Sequence, residues 1–200
     1  MSLTRDELFA YWRDPPPEQN GPHLYAEREA EARSVWLVEQ VQKFAATDAR
    51  IFEPGCGIGR NLAYLYRAGY HRLHGLEISR QATEFGHNLY PELQNIIVLG
   101  IPAEQCEWVC RRPWFDLVYT MAFLEHLHPD SEEVFGKLVA MLKPGGYLLT
   151  IEDEHSNTKR HFARNYNEVF VPLGLREIRS CQLRMKELES FFYRVFRKET

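Results

Sequence analysis

The chain has 200 residues, 44% of them hydrophobic and 26% charged, and a formal net charge of −4 at pH 7. These are the values of a globular domain with a substantial core, and they exclude a disordered chain. The negative balance excludes a general electrostatic pull toward nucleic acid or an anionic membrane surface.

No apolar run is long enough to span a bilayer, and Met1-Ser2-Leu3-Thr4-Arg5-Asp6-Glu7 contains no leader-like apolar region. A cytoplasmic protein without membrane partners is expected. Cys56, Cys106, Cys110 and Cys181 are scattered, without CxxC spacing, and are expected to be free thiols. Cys106 and Cys110 lie four apart, but no other ligands cluster near them in sequence, so no metal is expected there.

In chain order, Thr4 and Glu7 form a capping-box pattern ahead of Leu8, Phe9, Tyr11 and Trp12, which predicts a helix over 4–12. Asp14-Pro15-Pro16-Pro17 ends it, and an extended loop is expected to Pro22. A long helix is expected from Leu24 to Ala46, with Val35, Val38, Val41 and Phe44 on its apolar face. Residues 1–48 read as a helical lid or cap, and 49–200 as the main domain.

The central stretch is Ala49-Arg50-Ile51-Phe52-Glu53-Pro54-Gly55-Cys56-Gly57-Ile58-Gly59-Arg60-Asn61-Leu62. An apolar run ends in an acid, three glycines follow at alternate positions, and a helical pattern begins. This predicts a strand over 50–53, a tight loop against which a ligand lies close to the backbone, and a helix over 60–67. Further strands are expected at 72–78, 95–100, 115–121, 147–152, 175–183 and 191–197. Helices are expected at 79–88, 103–110, 129–142 and 165–173, with a turn at Lys143-Pro144-Gly145-Gly146.

Such alternation predicts an α/β three-layer sandwich around a mostly parallel, Rossmann-like sheet. The link Arg184–Ser190 is too short for a helical crossover, so the last two strands are expected to be antiparallel neighbours. The Gly loop lies at a strand's carboxyl end, where ligands bind in such sheets.

The loop departs from the dinucleotide fingerprint, because the third glycine comes one position early and Glu53 precedes it. No Gly-Lys-Ser/Thr follows, so the phosphate loop is not matched either. A ligand with an amino group and a ribose suits Glu53 and Glu77 better, since a carboxylate accepts from both ribose hydroxyls.

Four motifs occur in order: Glu53-Pro54-Gly55-Cys56-Gly57-Ile58-Gly59; Gly75-Leu76-Glu77-Ile78-Ser79; Phe115-Asp116-Leu117-Val118 with Leu124-Glu125-His126-Leu127; and Leu142-Lys143-Pro144-Gly145-Gly146-Tyr147-Leu148-Leu149. Together they resemble the class I S-adenosylmethionine-dependent methyltransferases of small-molecule type, over about residues 50–153. The resemblance implies a seven-stranded sheet whose last strand is antiparallel. It also implies S-adenosyl-L-methionine as cofactor and S-adenosyl-L-homocysteine as product. It places Glu53, Gly55, Gly57 and Gly59 at the methionine part and Glu77 at the ribose, with Cys56, Asn61, Ile78, Ile101 and Met121 completing the cofactor site. After strand three the family often has Gly-Asp-Ala, whose acid meets the adenine amine. Here the run is Leu99-Gly100-Ile101-Pro102-Ala103-Glu104, so either backbone near Ile101 or the Glu104 side chain reads adenine.

The resemblance also guides the acceptor. The family's Asn/Asp-Pro-Pro-aromatic run for exocyclic amines is replaced by Thr120-Met121-Ala122-Phe123, which argues against adenine or glutamine amines. The Leu-Glu-His-Leu run resembles that of ubiquinone-biosynthesis-type enzymes. His126 is the first catalytic candidate and His155 the second, beside the reading that Glu125 and His126 are framework residues. Glu152-Asp153-Glu154-His155 reads either as a divalent-metal site or as a solvated acidic loop, and no metal is assigned. Lys159, Arg160 and Arg164 form a basic run suited to an acceptor phosphate or carboxylate, or a solvated loop.

Tyr11-Trp12-Arg13-Asp14-Pro15-Pro16, Asn20-Gly21-Pro22-x-x-Tyr25 and His161-Phe162-Ala163-Arg164-Asn165-Tyr166 resemble bacterial methyltransferases of cell-surface sugar pathways. The leading expectation is O-methylation of a small molecule, with a sugar or sugar-nucleotide derivative among the acceptors. The alternatives are a protein side-chain methyltransferase and an inactive binding protein of the same fold. A nicotinamide oxidoreductase is disfavoured by the glycine spacing. The oligomeric state is open between monomer and homodimer.

Overall fold

Seven strands form one sheet in the computed structural model, which describes residues 2–26, 31–110, 112–155, 158–184 and 190–199. The strands are β1 (Arg50–Pro54), β2 (Arg72–Leu76), β3 (Ile97–Leu99), β4 (Phe115–Met121), β5 (Leu142–Asp153), β6 (Leu175–Gln182) and β7 (Phe191–Lys198). Their order is β3-β2-β1-β4-β5-β7-β6. β1 to β5 pair in parallel, and β7 is antiparallel to both β5 and β6. The expected mostly parallel sheet with an antiparallel last strand is therefore present. Most of the Arg184–Ser190 link lies outside the described residues.

The sheet is apolar on both faces because neighbouring residues of the central strands are buried in opposite directions. Ile51, Leu117, Leu149 and Val195 face one core, with Leu62 and Leu65 of helix α4 (Arg60–Arg67) and Leu37 and Val41 of α3 (Glu31–Val41). Phe52, Val118, Leu148 and Phe196 face the other, with Val134, Phe135 and Leu138 of α6 (Glu133–Met141) and Phe170 of α7 (Tyr166–Phe170). Each such side chain contributes about 1.5–3 kcal/mol by burial. The strand order reverses between β1 and β4, which opens a crevice at their carboxyl ends.

Helix α1 (Arg5–Arg13) starts at the expected capping box: Thr4 N–H donates to Glu7 Oε2 at 2.8 Å, and Glu7 N–H donates to Thr4 Oγ1 at 3.4 Å. The next segment differs from expectation. Instead of an extended loop, Pro17–Asn20 form a helical turn, α2, and Pro22–Ala26 a 3₁₀ turn. The expected helix over 24–46 is reduced to α3; residues 27–30 lie outside the described set. Its buried residues are Ser34, Leu37, Gln40 and Val41; of the expected face, Val38, Val41 and Phe44 pack on the core, whereas Val35 is 49% exposed. A strict three-residue repeat drifts around a helix with 3.6 residues per turn, so the spacing 34, 37, 41 wins.

Lys143–Gly146 lie within β5 as an irregularity rather than a free turn. The pairing steps from Phe115 opposite Leu142 to Leu117 opposite Tyr147. Helix α5 (Arg80–Leu89) is capped by Ser79 as expected. A 3₁₀ turn at Pro91–Asn95 was not legible in the sequence. Among the described residues no helix is long and apolar enough to cross a membrane.

Candidate functional site

A cavity of about 400 Å³ opens over the carboxyl ends of β1, β2 and β4. Glu53, Gly55, Cys56, Gly57, Asn61, Glu77, Ile78 and Met121 line one part of it. Leu8, Phe9, Trp12, Phe123, Leu127, His126 and His161 line another.

The loop between β1 and α4 shapes the first part. Gly55 has φ +67°, and a Cβ there would sit 2.1 Å from the Phe123 ring. Gly57 has φ +55° with open space where its Cβ would be, so its backbone is bare to the cavity. Gly59 does not line the cavity; it begins α4 in a left-handed conformation and packs under Leu93. Cys56 is buried, its N–H donates to Leu76 O at 2.9 Å, and burial holds its thiol protonated.

Glu53 is held by two donors: Asn61 Nδ2 to Oε1 and the Tyr119 hydroxyl to Oε2, both at 2.8 Å. Asn61 accepts in turn from the Ser34 hydroxyl at 2.7 Å, and Ser34 accepts from Arg60 Nε at 2.9 Å. Burial dominates these bonds and pushes the Glu53 carboxyl up to about 8. Glu77 closes the loop, accepting from Gly57 N–H and Ser79 N–H at 2.8 Å each. Its carboxyl is also raised by burial.

Ile101 lies outside the cavity lining and packs on the α6 side of the sheet; its neighbours Pro102, Ala103 and Glu104 do line the cavity. Both carboxylate oxygens of Glu104 are buried without a hydrogen-bond partner. A buried acceptor pair of this kind is costly unless a ligand supplies donors.

The second part is built by the turn after β4. Glu152 of β5 accepts from Phe123 N–H at 2.9 Å and Leu124 N–H at 3.0 Å, fixing the turn. Ala122, at φ +52°, is the one non-glycine residue with positive φ among those described. The turn delivers His126, whose side chain is 16% exposed. Its Nδ1 is 3.0 Å from Arg160 O. A carbonyl only accepts, so Nδ1 carries the proton and Nε2 keeps its lone pair. The Trp12 and His161 rings each lie 4.5 Å from the His126 ring, between centroids. Burial, aided by His161 and Arg160, pushes His126 down to about 3, against the opposing effect of the Arg160 carbonyl.

His155 is not brought to the cavity. It is exposed and packs edge-on against Phe192, because the chain turns outward after β5. The acids beside it are neither a metal cluster nor a solvated loop. Glu152 holds the β4 turn, Asp153 accepts from His155 N–H and Ser190 Oγ, and Glu154 forms a two-pronged pair with Arg194 at 2.6 and 2.8 Å. Arg164 binds the carbonyls of Leu127 and Phe162 and the carboxylate of Glu132, so the basic run is not an open anion site at that residue. Sequence reasoning missed Ser34 and Arg60 as supports of Glu53. The only signal was their polar character on otherwise apolar-patterned helices.

The residues present fit S-adenosylmethionine. Two buried acids flank a bare glycine backbone, and a third acid, Glu104, lacks donors. These match an ammonium group, a ribose diol and an exocyclic amine.

Comparison with known proteins follows the same line. The profile of a methyltransferase domain matches residues 52–150. No curated protein sequence matches the chain. Among solved structures, magnesium protoporphyrin IX methyltransferase from Synechocystis PCC 6803, with bound SAH, is similar at TM-score 0.76 and 11% identity, over 98% of this chain and 100% of that one. The N-methyltransferase NodS from Bradyrhizobium japonicum WM9, in complex with S-adenosyl-L-homocysteine, is similar at TM-score 0.72 and 19% identity, over 98% of both chains. The 1,6-didemethyltoxoflavin-N1-methyltransferase of Burkholderia thailandensis is similar at 0.69 and 15%, over 98% of this chain and 87% of that one. At these identities the likenesses show the fold, and the profile match shows the domain. The chain carries a methyltransferase domain over residues 52–150, on the seven-stranded sheet of the class I S-adenosylmethionine-dependent methyltransferases.

Proposed function

We propose that the chain transfers a methyl group from S-adenosylmethionine to a hydroxyl of a small molecule. The observation that carries this reading is the division of one cavity: buried acids and bare backbone on one side, histidines and aromatic rings on the other. S-adenosylmethionine supplies an electrophilic methyl on a sulfonium.

The chain's own residues bind, orient and exclude water. Glu53, positioned by Asn61 and Tyr119, gives up its proton as it meets the ammonium. Glu77 accepts from the ribose hydroxyls through lone pairs that Gly57 and Ser79 leave free. Glu104 accepts from the adenine amine, so of the two adenine readings the side chain is favoured over the Ile101 backbone. Cys56, Ile78 and Met121 supply apolar and backbone walls, and Gly59 supports the loop from below.

On the acceptor side, His126 accepts a hydrogen bond from the hydroxyl through Nε2 and turns the oxygen lone pair toward the methyl. Its burial makes it an orienting acceptor rather than a store for the proton: the C–O bond forms as the methyl–sulfur bond breaks, and the hydroxyl proton is shed to solvent as the methyl ether and S-adenosylhomocysteine form. Alignment of this kind is the larger part of catalysis in a displacement at carbon. His155 has no role in this scheme. The N-terminal segment serves as the lid. Tyr11 donates to Asn20 at 2.5 Å, Asn20 donates to Tyr25 at 2.6 Å, and the Tyr25 carbonyl accepts from Arg60 beside the glycine loop.

The runs that resemble sugar-pathway enzymes meet here, with Trp12 and His161 on either side of His126. A sugar hydroxyl is therefore the first acceptor class to test. The test uses methyl-labelled S-adenosylmethionine with sugar, sugar-nucleotide, phenol and protein fractions. Label in a low-mass methyl ether supports the reading; label in protein side chains alone overturns it.

A further inference from the structure

We propose that Glu125, His126 and His161 form a binding site for one divalent ion of the zinc type, with an open position toward the acceptor side of the cavity. The feature that points to it is a meeting of two ring nitrogens and a carboxyl group. His126 Nδ1 gives its proton to the Arg160 carbonyl at 3.0 Å, so Nε2 is bare. That Nε2 faces Glu125 Oε1 at 3.7 Å, too far for a hydrogen bond. Nδ1 of His161 is buried and has no partner. One ligand atom from each residue lies within 4.8 Å of the other two.

The arrangement is built rather than incidental. Two hydrogen bonds clamp the segments that carry the ligands: His126 Nδ1–H to Arg160 O, and Phe162 N–H to Glu125 O at 2.8 Å. Glu125 is further fixed because its Oε2 accepts from Asp153 N–H at 2.5 Å and its carboxyl also bonds Glu152. Trp12 covers the outer face of the His126 ring. Two imidazoles and one carboxylate are a donor set for zinc or a neighbouring transition ion, and three protein ligands leave a coordination position open. His126 and His161 line the cavity, so that position faces the acceptor. This site replaces the absence of metal expected from the sequence, and it lies elsewhere than the run at 152–155.

The site rests on the proposed function only for its role and changes one step of it, since an ion on Nε2 takes that lone pair from the acceptor hydroxyl. An acceptor hydroxyl bound there would meet the ion instead of Nε2, and coordination lowers the pKa of a bound hydroxyl. Metal binding itself needs neither cofactor nor acceptor, so its failure is distinguishable from failure of methyl transfer.

The experiment is titration of the chelator-stripped full chain with zinc chloride, read by calorimetry, without cofactor or acceptor. One zinc per chain is expected, with binding weakened at least roughly tenfold in His161→Ala. Cobalt(II) titration of the wild-type chain is the second readout. It is expected to give visible absorption that zinc abolishes, which keeps the test valid if the variant does not fold. No stoichiometric zinc in the wild-type chain, or unchanged zinc affinity in folded His161→Ala, overturns the proposal.

Discussion

Asn61 donates its side-chain amide to Glu53 at 2.8 Å, tying the first turn of α4 to the acid at the end of β1. The same Asn61 accepts from Ser34 of α3, so the N-terminal helix also supports Glu53. Glu53 lies in a pocket where burial outweighs both of its donors.

This gives a pH prediction. The unfolded carboxyl ionises at its ordinary value of 4.5 and the folded one at about 8. Across that window the folded chain holds a proton that the unfolded chain has lost. The contribution of Glu53 to stability therefore falls as pH rises from the lower value to the upper one. Glu53→Gln removes that dependence, which thermal melts across the range will read. A bound ammonium favours the ionised form, so cofactor binding near neutral pH is expected to release up to about one proton. Calorimetry in buffers of different ionisation enthalpy measures it; no proton release would separate Glu53 from the ammonium.

The two loop glycines are expected to behave differently. Gly55→Ala places a methyl on the Phe123 ring in a left-handed conformation, so stability and cofactor binding both fall. Gly57→Ala meets nothing within 4 Å in the protein. It is expected to cost about 1–2 kcal/mol for the backbone conformation alone, yet to weaken cofactor binding as strongly as Gly55→Ala. Paired melts and binding curves separate the two effects.

Glu104 is expected to discriminate the adenine amine. The wild-type chain should prefer S-adenosylhomocysteine over its inosine counterpart, which lacks that amine. Glu104→Ala should erase most of the preference, about 1.5–3 kcal/mol for a hydrogen bond to a charged group. An undiminished preference would return adenine recognition to the backbone near Ile101.

Glu154 and Arg194 are buried, with side chains 4% and 10% exposed, and joined by two hydrogen bonds. Arg194 also bonds Glu177 at 2.7 Å, so removing Glu154 leaves it one carboxylate. Glu154→Ala is therefore expected to destabilise the chain by about 1.5–3 kcal/mol, the worth of hydrogen bonds between charged groups, read by denaturant unfolding. A loss of activity at unchanged stability would show instead that this acid serves the acceptor.

Much of the sheet and the glycine loop could be read directly, because burial on both faces writes itself as apolar runs and a tight loop writes itself as glycine. Glu77 was legible for the same reason: its place at a strand end is fixed by the register. His155 misled because an acid-rich run after β5 looks the same whether its carboxylates face a ligand or, as here, Ser190 and Arg194 from a distant strand. The helix face at 34, 37, 41 was hidden because Ser34 is polar, and its burial is justified only by Asn61 and Arg60 far along the chain. Glu104 and the meeting of His126 with His161 depend on loop paths, which residue types do not encode.

The most direct test of the central claim is calorimetric titration of wild type and Glu77→Ala with S-adenosylmethionine and S-adenosylhomocysteine. Glu77 accepts from the loop at Gly57 and is proposed to accept from the ribose. The account predicts micromolar binding of both compounds to wild type. It predicts a loss of about 1.5–3 kcal/mol in the variant, a Kd raised roughly ten- to a hundredfold. Equal affinity in the variant, or no binding to wild type, would contradict it.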